Sequence, residues 1–177
     1  MLNSAATVAL VPLKSVPEGE RGRLLAGIAE LQLAPGQAAF VGDPVEMAEV
    51  GLADAQRHPF VITTPGPESA VVGMGTLHTG AATDTGWHDD DSAILLRGFL
   101  VDHRTQGRGY GTAATLAAVD LARELAAQLR LPATGVVLGV NERNAAGQAA
   151  YLKAGFADSG RYLGGRSGPQ RIMHKTF

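Results

Sequence analysis

The hydrophobic positions of the chain follow two periods, one typical of strands and one typical of helices. Short β-rich or alternating runs predict strands at residues 7–14, 58–64, 70–78, 133–140, 155–162 and 170–177, together with an apolar run that begins the segment 92–124. Apolar residues at helical spacing predict helices at residues 18–33, 44–56 and 144–154, and a long helix that closes the segment 92–124. Strands and helices in this order predict an α+β fold with helices on both faces of a mixed sheet.

Local residues mark where several of these elements begin or end. Pro12 lies in the first predicted strand, and because proline cannot donate a ladder hydrogen bond, we expect this strand at a sheet edge. Asp43 followed by Pro44 predicts the N-cap and the first residue of the second helix. Residues 65–69 separate two β-rich runs and contain two prolines and a glycine, which predicts a hairpin.

Composition narrows the class of protein. A chain of 177 residues predicts a single domain, 1–177, that is large enough to bury its own core. The absence of cysteine excludes disulfides, a thiol nucleophile and a cysteine zinc site, and it suits a reducing cytoplasm. A formal charge of −2 provides no basic field that would attract nucleic acid or acidic lipid.

No segment predicts a signal peptide or a membrane span. Residues 1–11 lack a basic region before an apolar core and lack a small-residue cleavage site. The most apolar stretch, residues 112–129, contains Asp120, Arg123 and Glu124, which do not suit the interior of a bilayer. We therefore expect a cytoplasmic protein with neither nucleic acid nor membrane as a partner.

Three glycines at every second position stand between the central strand and the long helix. Gly107, Gly109 and Gly111 leave the backbone bare where the helix begins, and a helix start offers unpaired N–H groups and a positive dipole end. Such turns bind phosphate or diphosphate groups. The alternative is a tight strand-to-helix turn that binds nothing.

Two common phosphate motifs do not match this turn. A P-loop requires a lysine directly after the last glycine, whereas Thr112 follows Gly111 and no lysine is near. A dinucleotide fingerprint requires a third glycine where Thr112 stands. The turn matches instead the pattern Q/R-x-x-G-x-G/A over residues 106–111.

With this pattern the chain resembles the GNAT superfamily of acetyl-CoA-dependent N-acetyltransferases. Residues 96–102, LRGFLVD, are similar to the fourth strand of that family, and residues 140–144, VNERN, with Tyr151 and Gly155-Phe156, are similar to its second cofactor segment. The resemblance implies a three-layer α/β/α fold with a mixed, mostly antiparallel sheet, in which the two central strands splay apart. It also implies acetyl-CoA as cosubstrate and no metal.

The resemblance assigns cofactor contacts to the central strand and to the turn. Phe99 and Leu100 would place an N–H group at the thioester oxygen, and Val101 would pair with the pantetheine amides, with Gly98 as the site of a bulge. The residues that would bind the cofactor around its diphosphate are Gln106, Gly107, Arg108, Gly109, Tyr110, Gly111 and Thr112.

The second cofactor segment supplies two asparagines and a tyrosine. By resemblance Asn141 and Asn144 bind the cofactor arm, and Tyr151 protonates the departing thiolate as a phenol near pKa 10. Tyr151 lies two helical turns after Asn144, so that both side chains share a helix face. The ordinary alternatives are a helix N-cap for Asn144 and a core position for Tyr151.

The general base and the acceptor remain open at this stage. Candidates for the base are His78, Glu142, Glu46, Glu49 or a water chain. Gln37, Phe40-Val41 and residues 96–102 are similar to the bacterial diamine/polyamine acetyltransferase branch, from which the chain departs at Gly98 and His103-Arg104. A small-molecule primary amine, and within that class a diamine or polyamine, is therefore the expected acceptor.

Carboxylates that would bind a cationic substrate are Glu46, Glu49 and the run Asp89–Asp91, although such a run is commonly a solvated turn. The competing hypotheses are a GNAT enzyme that acts on a protein N-terminus, an amino acid or an antibiotic, and a non-catalytic acetyl-CoA sensor. A homodimer is common in the superfamily.

Overall fold

The computed structural model describes residues 6–37 and 40–177, and within them the predicted order of helices and strands is present. The strands are β1 (Ala9–Pro12), β2 (Arg57–Thr63), β3 (Val71–His78), β4 (Ile94–Val101), β5 (Gly135–Asn141), β6 (Ala157–Tyr162) and β7 (Gln170–Thr176). The α-helices are α1 (Glu18–Ala29), α2 (Pro44–Ala53), α3 (Tyr110–Gln128) and α4 (Ala145–Lys153).

The strands form one seven-stranded sheet in the order β1-β2-β3-β4-β5-β7-β6. β4 and β5 pair in parallel, at Ile94↔Val136 and Leu95↔Val137, whereas β1–β2, β5–β7 and β6–β7 are antiparallel. The expected mixed, mostly antiparallel sheet is thus confirmed. β1 lies at an edge, as Pro12 predicted.

Several predicted element borders were wrong, and among them the helix predicted at residues 44–56 ends at Ala53. The first helix was expected to reach residue 33 but ends at Ala29, because the chain beyond it bonds to the segment after β4. There the Gln32 N–H donates to the Asp102 carboxylate (3.3 Å) and the His103 N–H donates to the Gln32 carbonyl (2.8 Å). The first strand is also shorter than predicted, since Leu13–Ser15 forms a 3₁₀ turn.

The chain divides into two compact units. Unit 1 comprises Met1–Thr76 and Gly98–Ala117, and unit 2 comprises Leu77–Arg97 and Ala118–Phe177. The expectation of a single domain over residues 1–177 stays a prediction.

The core of unit 1 holds α1 and α2 against three strands. Leu24 and Ile28 of α1 are four residues apart and so lie on one helix face. They share a buried cluster whose other members are Leu13, Ala48, Val61, Met74 and Leu100. Gly27 lets α1 approach β3 closely, since a Cβ there would stand 2.6 Å from Cγ2 of Val71. Leu100, near the end of β4, is therefore held in the same buried cluster as Leu24 and Ile28 of α1.

The core of unit 2 supports β5 and β7. Its buried cluster comprises Ala81, Ala82, Ala93, Leu95, Val137 and Ile172. Trp87 and Tyr162 pack against this cluster, and the Trp87 ring stacks on His174 with ring centroids 4.5 Å apart. β5 carries Asn141 as its last residue, so the core holds the strand that presents this predicted site residue.

Candidate active site

In unit 1, the last part of β4 leaves regular strand geometry at Gly98. Its φ of 59° lies in the left-handed region that favours glycine, at the position where a bulge was predicted. Phe99 beyond it is half-buried, and Leu100 and Val101 are buried. These are the three residues expected to pair with the acyl arm of the cofactor.

The glycines of the turn have two different functions. Gly107 and Gly109 both have a φ of 83°, so a side chain at either position would be strained. Gly111 has no positive φ and lies in the first turn of α3, where a Cβ would make an ordinary contact of 3.9 Å with Val101. Left-handed backbone explains the first two glycines, whereas neither backbone conformation nor a close contact requires the third.

The start of α3 presents several main-chain donors. The Gly109 carbonyl accepts from the Ala113 N–H (3.1 Å), which makes Gly109 the N-cap of the helix. The N–H groups of Tyr110, Gly111 and Thr112 therefore belong to the first turn, where a helix provides no acceptor for them. Gln106 joins this turn to β4, since its side-chain amide donates to the Val101 carbonyl (3.3 Å). Unit 1 thus brings the predicted residues of β4 and of the turn together.

Asp102 is a residue of this site that motif matching did not identify. Its carboxylate is 2% exposed and accepts from the Arg104 side chain (Nη2 2.7 Å, Nε 3.0 Å), from the Arg104 N–H (2.8 Å) and from the Gln32 N–H (3.3 Å). Arg104 also donates to the Glu30 carbonyl (3.0 Å). The aspartate therefore joins the chain after β4 to the chain after α1. The sequence signal was a lone carboxylate at the end of an apolar strand.

In unit 2, the two predicted asparagines have different partners. Asn144 is the N-cap of α4, since its side-chain oxygen accepts from the Gly147 N–H (2.9 Å). The buried Asn141 side chain donates to the Ser167 carbonyl (2.8 Å) and accepts from the Arg143 N–H (2.9 Å). Asn141 thereby ties the end of β5 to the loop before β7. The N-cap of Asn144 uses the side-chain oxygen and not the two N–H donors of its amide nitrogen.

Tyr151 lies on α4, two turns after the N-cap. Its ring makes an edge contact with Phe156, with centroids 5.9 Å apart, and the residue is half-buried. Burial raises the pKa of the Tyr151 phenol to about 12. The phenol is thus a weaker acid than the ordinary tyrosine assumed from the sequence, and it stays protonated throughout the neutral range.

A comparison with known families decides the class of this chain. Residues 28–156 match the sequence profile of the Acetyltransferase (GNAT) family, a span that includes β4, the glycine turn and Tyr151. The chain belongs to the GNAT family. It is accordingly an acetyltransferase enzyme by family, and no curated protein is significantly similar to it in sequence.

Solved GNAT structures share the fold at low sequence identity. The aminoglycoside acetyltransferase AAC(6')-Ib in complex with coenzyme A is 18% identical, with 96% of this chain and 95% of that chain covered and a TM-score of 0.67. Spermidine N-acetyltransferase from Vibrio cholerae in complex with coenzyme A and spermine is 16% identical, with 96% and 95% covered and a TM-score of 0.64. Similarity at this level shows the fold alone.

The GNAT turn in unit 1 fits a diphosphate. Among the described residues, no atom lies within 4 Å of the place where a Cβ on Gly107 would stand, so these residues leave the backbone open to approach. The N–H groups at the α3 start supply donors at the positive end of a helix of 19 residues. Main-chain donors of this kind suit an anion whose charge is spread over several oxygens.

The candidate general bases of the GNAT site are engaged in other contacts. Arg97 has only donors, so its contact with His78 Nδ1 (3.2 Å) requires that nitrogen to accept and places the ring proton of neutral His78 on Nε2. The Glu142 carboxylate binds Arg161 (2.6 Å) and lies 3.9 Å from Arg171. Both side chains are thus already in contact with arginine, whereas Glu46 and Glu49 are exposed on α2.

The acidic run in the loop before β4 is used by the loop itself. Asp89 accepts from the N–H groups of Asp91 (3.1 Å) and Ser92 (2.8 Å), and Asp90 accepts from the Thr83 N–H (2.9 Å) and hydroxyl (2.7 Å). Hydrogen bonding from the Ser92 side chain and main chain lowers the pKa of Asp89, and hydrogen bonding from the Thr83 side chain and main chain lowers that of Asp90. The run is therefore better explained by turn formation than by substrate binding.

Residues 6–37 and 40–177 contain neither a helix that could span a membrane nor a cluster of side chains that could hold a metal. Among the helices described, none combines the length and the apolar character that crossing a bilayer requires. No cluster of three or more histidine, aspartate or glutamate side chains in these ranges has an arrangement that could hold a metal ion.

We expect Asp102→Asn to lower the free energy of unfolding at pH 7 by about 2–3 kcal/mol, because a buried, charge-assisted bond to Arg104 is lost. Hydrogen bonding from the Arg104 side chain holds the pKa of Asp102 below its ordinary value. The ionised carboxylate therefore stabilises the fold above the ordinary pKa of about 3.9, and this stabilisation is lost as the pH falls through the lower folded value.

Urea unfolding at pH 7 and at acidic pH measures this effect. The difference between the natural protein and Asp102→Asn should shrink as the pH falls below about 4. The matched control is Asp120→Asn, which removes an exposed carboxylate that lies 3.5 Å from Arg123 and should cost less than about 0.5 kcal/mol. Equal effects of the two substitutions at pH 7 would contradict a stabilising role for Asp102.

Proposed function

We propose that this GNAT enzyme transfers the acetyl group of acetyl-CoA to a primary amine of a small molecule, by direct attack in a ternary complex. The observation that carries the proposal is the turn at the α3 start, where Gly107 and Gly109 take left-handed backbone and expose the first N–H groups of the helix. Coenzyme A brings a diphosphate that such a turn is suited to bind.

The chemistry requires a neutral amine, a donor to the developing oxyanion and a proton for the leaving group. The amine nitrogen attacks the thioester carbonyl, the C–S bond breaks, and the thiolate takes a proton while the new ammonium centre loses one. In our proposal an N–H of Phe99 or Leu100 donates to the oxyanion, and Val101 pairs with the pantetheine amides. The Tyr151 phenol supplies the proton to sulfur.

Residues 106–112 would bind the cofactor around its diphosphate, chiefly through the main chain. Of the two asparagines, Asn144 is better suited to donate to the cofactor arm, because its cap uses the side-chain oxygen and not the nitrogen. The Asn141 amide already bonds to Ser167 and Arg143, so we propose that it contributes to the cofactor site through the position of β5.

A diamine or polyamine is the acceptor that we propose within the amine class. The exposed carboxylates of Glu46 and Glu49 on α2 suit a cationic chain. A fold neighbour was solved with spermine, and others with aminoglycosides, which are also polycationic amines. Acceptors of other classes, namely a protein N-terminus or an amino acid, lack the repeated positive charge that these two carboxylates would recognise.

An amine panel assayed for coenzyme A release tests this choice. We expect saturable turnover with spermidine and putrescine, and a specificity constant kcat/KM at least about tenfold lower with glycine or an N-terminal peptide, the factor that corresponds to about 1.4 kcal/mol. Activity confined to amino acids or peptides would reject the polyamine acceptor. Tight acetyl-CoA binding with no release on any amine would favour the sensor hypothesis.

We base our proposals for the cellular location and the oligomeric state of the enzyme on its cosubstrate and its family. We propose a cytoplasmic enzyme, since acetyl-CoA is an intracellular cosubstrate, and fractionation of expressing cells would test it. We propose a homodimer on the family resemblance, and light scattering of the purified protein would measure its mass.

A further inference from the structure

A groove of about 620 Å³ opens in unit 1 beside the glycine turn. Its walls come from the second half of α1, the start of β3 and the segment between β4 and α3. Three arginines line it, Arg23, Arg104 and Arg108, together with Glu30 and Asp102. Asp102 is already bound to Arg104, and Arg23 is paired with Glu20 at 3.7 Å, so Arg108 is the lining guanidinium group that has no ion pair among the described residues.

The three arginines differ in how firmly they are held. Asp102 and the Glu30 carbonyl orient the Arg104 side chain. Its remaining N–H groups could therefore bind an anion with little further loss of side-chain conformational entropy. Arg23 is 60% exposed, and its ion pair with Glu20 is long, at 3.7 Å. Arg108 is exposed and makes no ion pair within the part of the chain that the structure describes. Arg23 and Arg108 can therefore bind an anion without first breaking a short ion pair.

We propose that this groove binds the 3′-phosphate of coenzyme A. The inference rests on the proposed function, because it takes the cofactor's diphosphate to lie at the turn. The 3′-phosphate stands on the same ribose as the 5′-diphosphate. Arg108 belongs to the turn, Thr105 precedes it, and both line the groove. Planar guanidinium groups bind phosphate oxygens through charge-assisted and frequently bidentate hydrogen bonds, so a phosphate monoester dianion suits this lining.

Substitution of Glu30 should change coenzyme A affinity in the direction opposite to substitution of Arg23. Glu30 lines the same groove, and its negative charge repels a dianion, so Glu30→Gln should strengthen binding where Arg23→Gln weakens it. Neither residue belongs to the turn that would hold the diphosphate. Both effects should therefore vanish for a ligand that lacks only the 3′-phosphate, and dephospho-CoA is that ligand.

Calorimetric titration of the full chain with coenzyme A and with dephospho-CoA tests the assignment. We expect the natural protein to bind coenzyme A about tenfold more tightly. Arg23→Gln should weaken coenzyme A binding about 2- to 5-fold, and Glu30→Gln should strengthen it by a similar factor, with dephospho-CoA affinity unchanged in both. Inorganic phosphate at millimolar concentration should compete with coenzyme A and not with dephospho-CoA.

The matched control is Arg123→Gln. Arg123 is 57% exposed and forms an i,i+3 ion pair of 3.5 Å with Asp120, closely similar to the Arg23–Glu20 pair, but it does not line the groove. It should change neither affinity. Equal affinity of the natural protein for the two ligands, or equal weakening of both by Arg23→Gln, would overturn the inference and leave the proposed function standing. Failure of both ligands to bind would overturn the two together.

Discussion

Gly109→Val should weaken acetyl-CoA binding by about 100-fold or more. Gly109 has a φ of 83°, and a Cβ there would also stand 3.2 Å from the Cβ of Ala6. A β-branched residue is strained in this conformation, so the turn must change shape and carry the first N–H groups of α3 away from the diphosphate. Loss of two charge-assisted bonds worth about 1.5 kcal/mol each gives the stated factor.

Calorimetry and thermal unfolding measure this loss independently. Acetyl-CoA at about 100 times its Kd should add about 2.7 kcal/mol to the free energy of unfolding of the natural protein and almost nothing to that of the variant. Gly66→Val is the matched control, since Gly66 has a φ of 101° in the β2–β3 hairpin and no atom of residues 6–37 or 40–177 lies within 4 Å of an added Cβ. Affinity retained in Gly109→Val would contradict diphosphate binding at this turn.

Tyr151→Phe should lower kcat by about 100-fold or more while it leaves the Kd for acetyl-CoA unchanged. General acid catalysis by a positioned side chain contributes about 10²–10⁴-fold, and phenylalanine has no proton to give. Phenylalanine preserves the ring that meets Phe156 edge-on, so the packing of α4 should survive. A selective loss of kcat separates a proton donor from a residue that merely fills space.

The pH dependence of turnover adds a second readout for Tyr151. Because burial raises the pKa of this phenol to about 12, its ionisation should produce no decline in kcat near pH 10, where an ordinary tyrosine would lose its proton. Tyr162→Phe is the control, since Tyr162 is also half-buried in unit 2 and has no assigned role in catalysis. Equal rates for the natural enzyme and Tyr151→Phe would assign the leaving-group proton to another donor.

The fold was predictable from the sequence where its signals are local. Asp43 and Pro44 predicted the start of α2, and the Asp43 carboxylate accepts from the Glu46 N–H (2.9 Å) as an N-cap does. Gly98 was expected to interrupt the central strand, and it has a left-handed φ. In both cases the residue's own stereochemistry determines the backbone, and no distant part of the chain needs to be known.

Side-chain roles were less predictable, because their partners are far away in sequence. Asn141 and Asn144 look alike in the motif, yet Asn144 bonds within its own helix turn, while Asn141 bonds to Ser167, 26 residues later. The ordinary pKa assumed for Tyr151 was wrong, since burial is a property of the packed molecule. No periodicity in the sequence indicates either result.

The order of strands and helices, the glycine turn at the α3 start and the family could be predicted from the linear sequence. Each depends on hydrophobic period or backbone stereochemistry, which act over a few residues. The folded chain was needed to show that Asp102 ties the β4–α3 junction to the chain after α1, and that Arg23 and Arg104 line one groove. Contacts between residues about 70 positions apart arise from packing against a shared core, which a linear pattern does not encode.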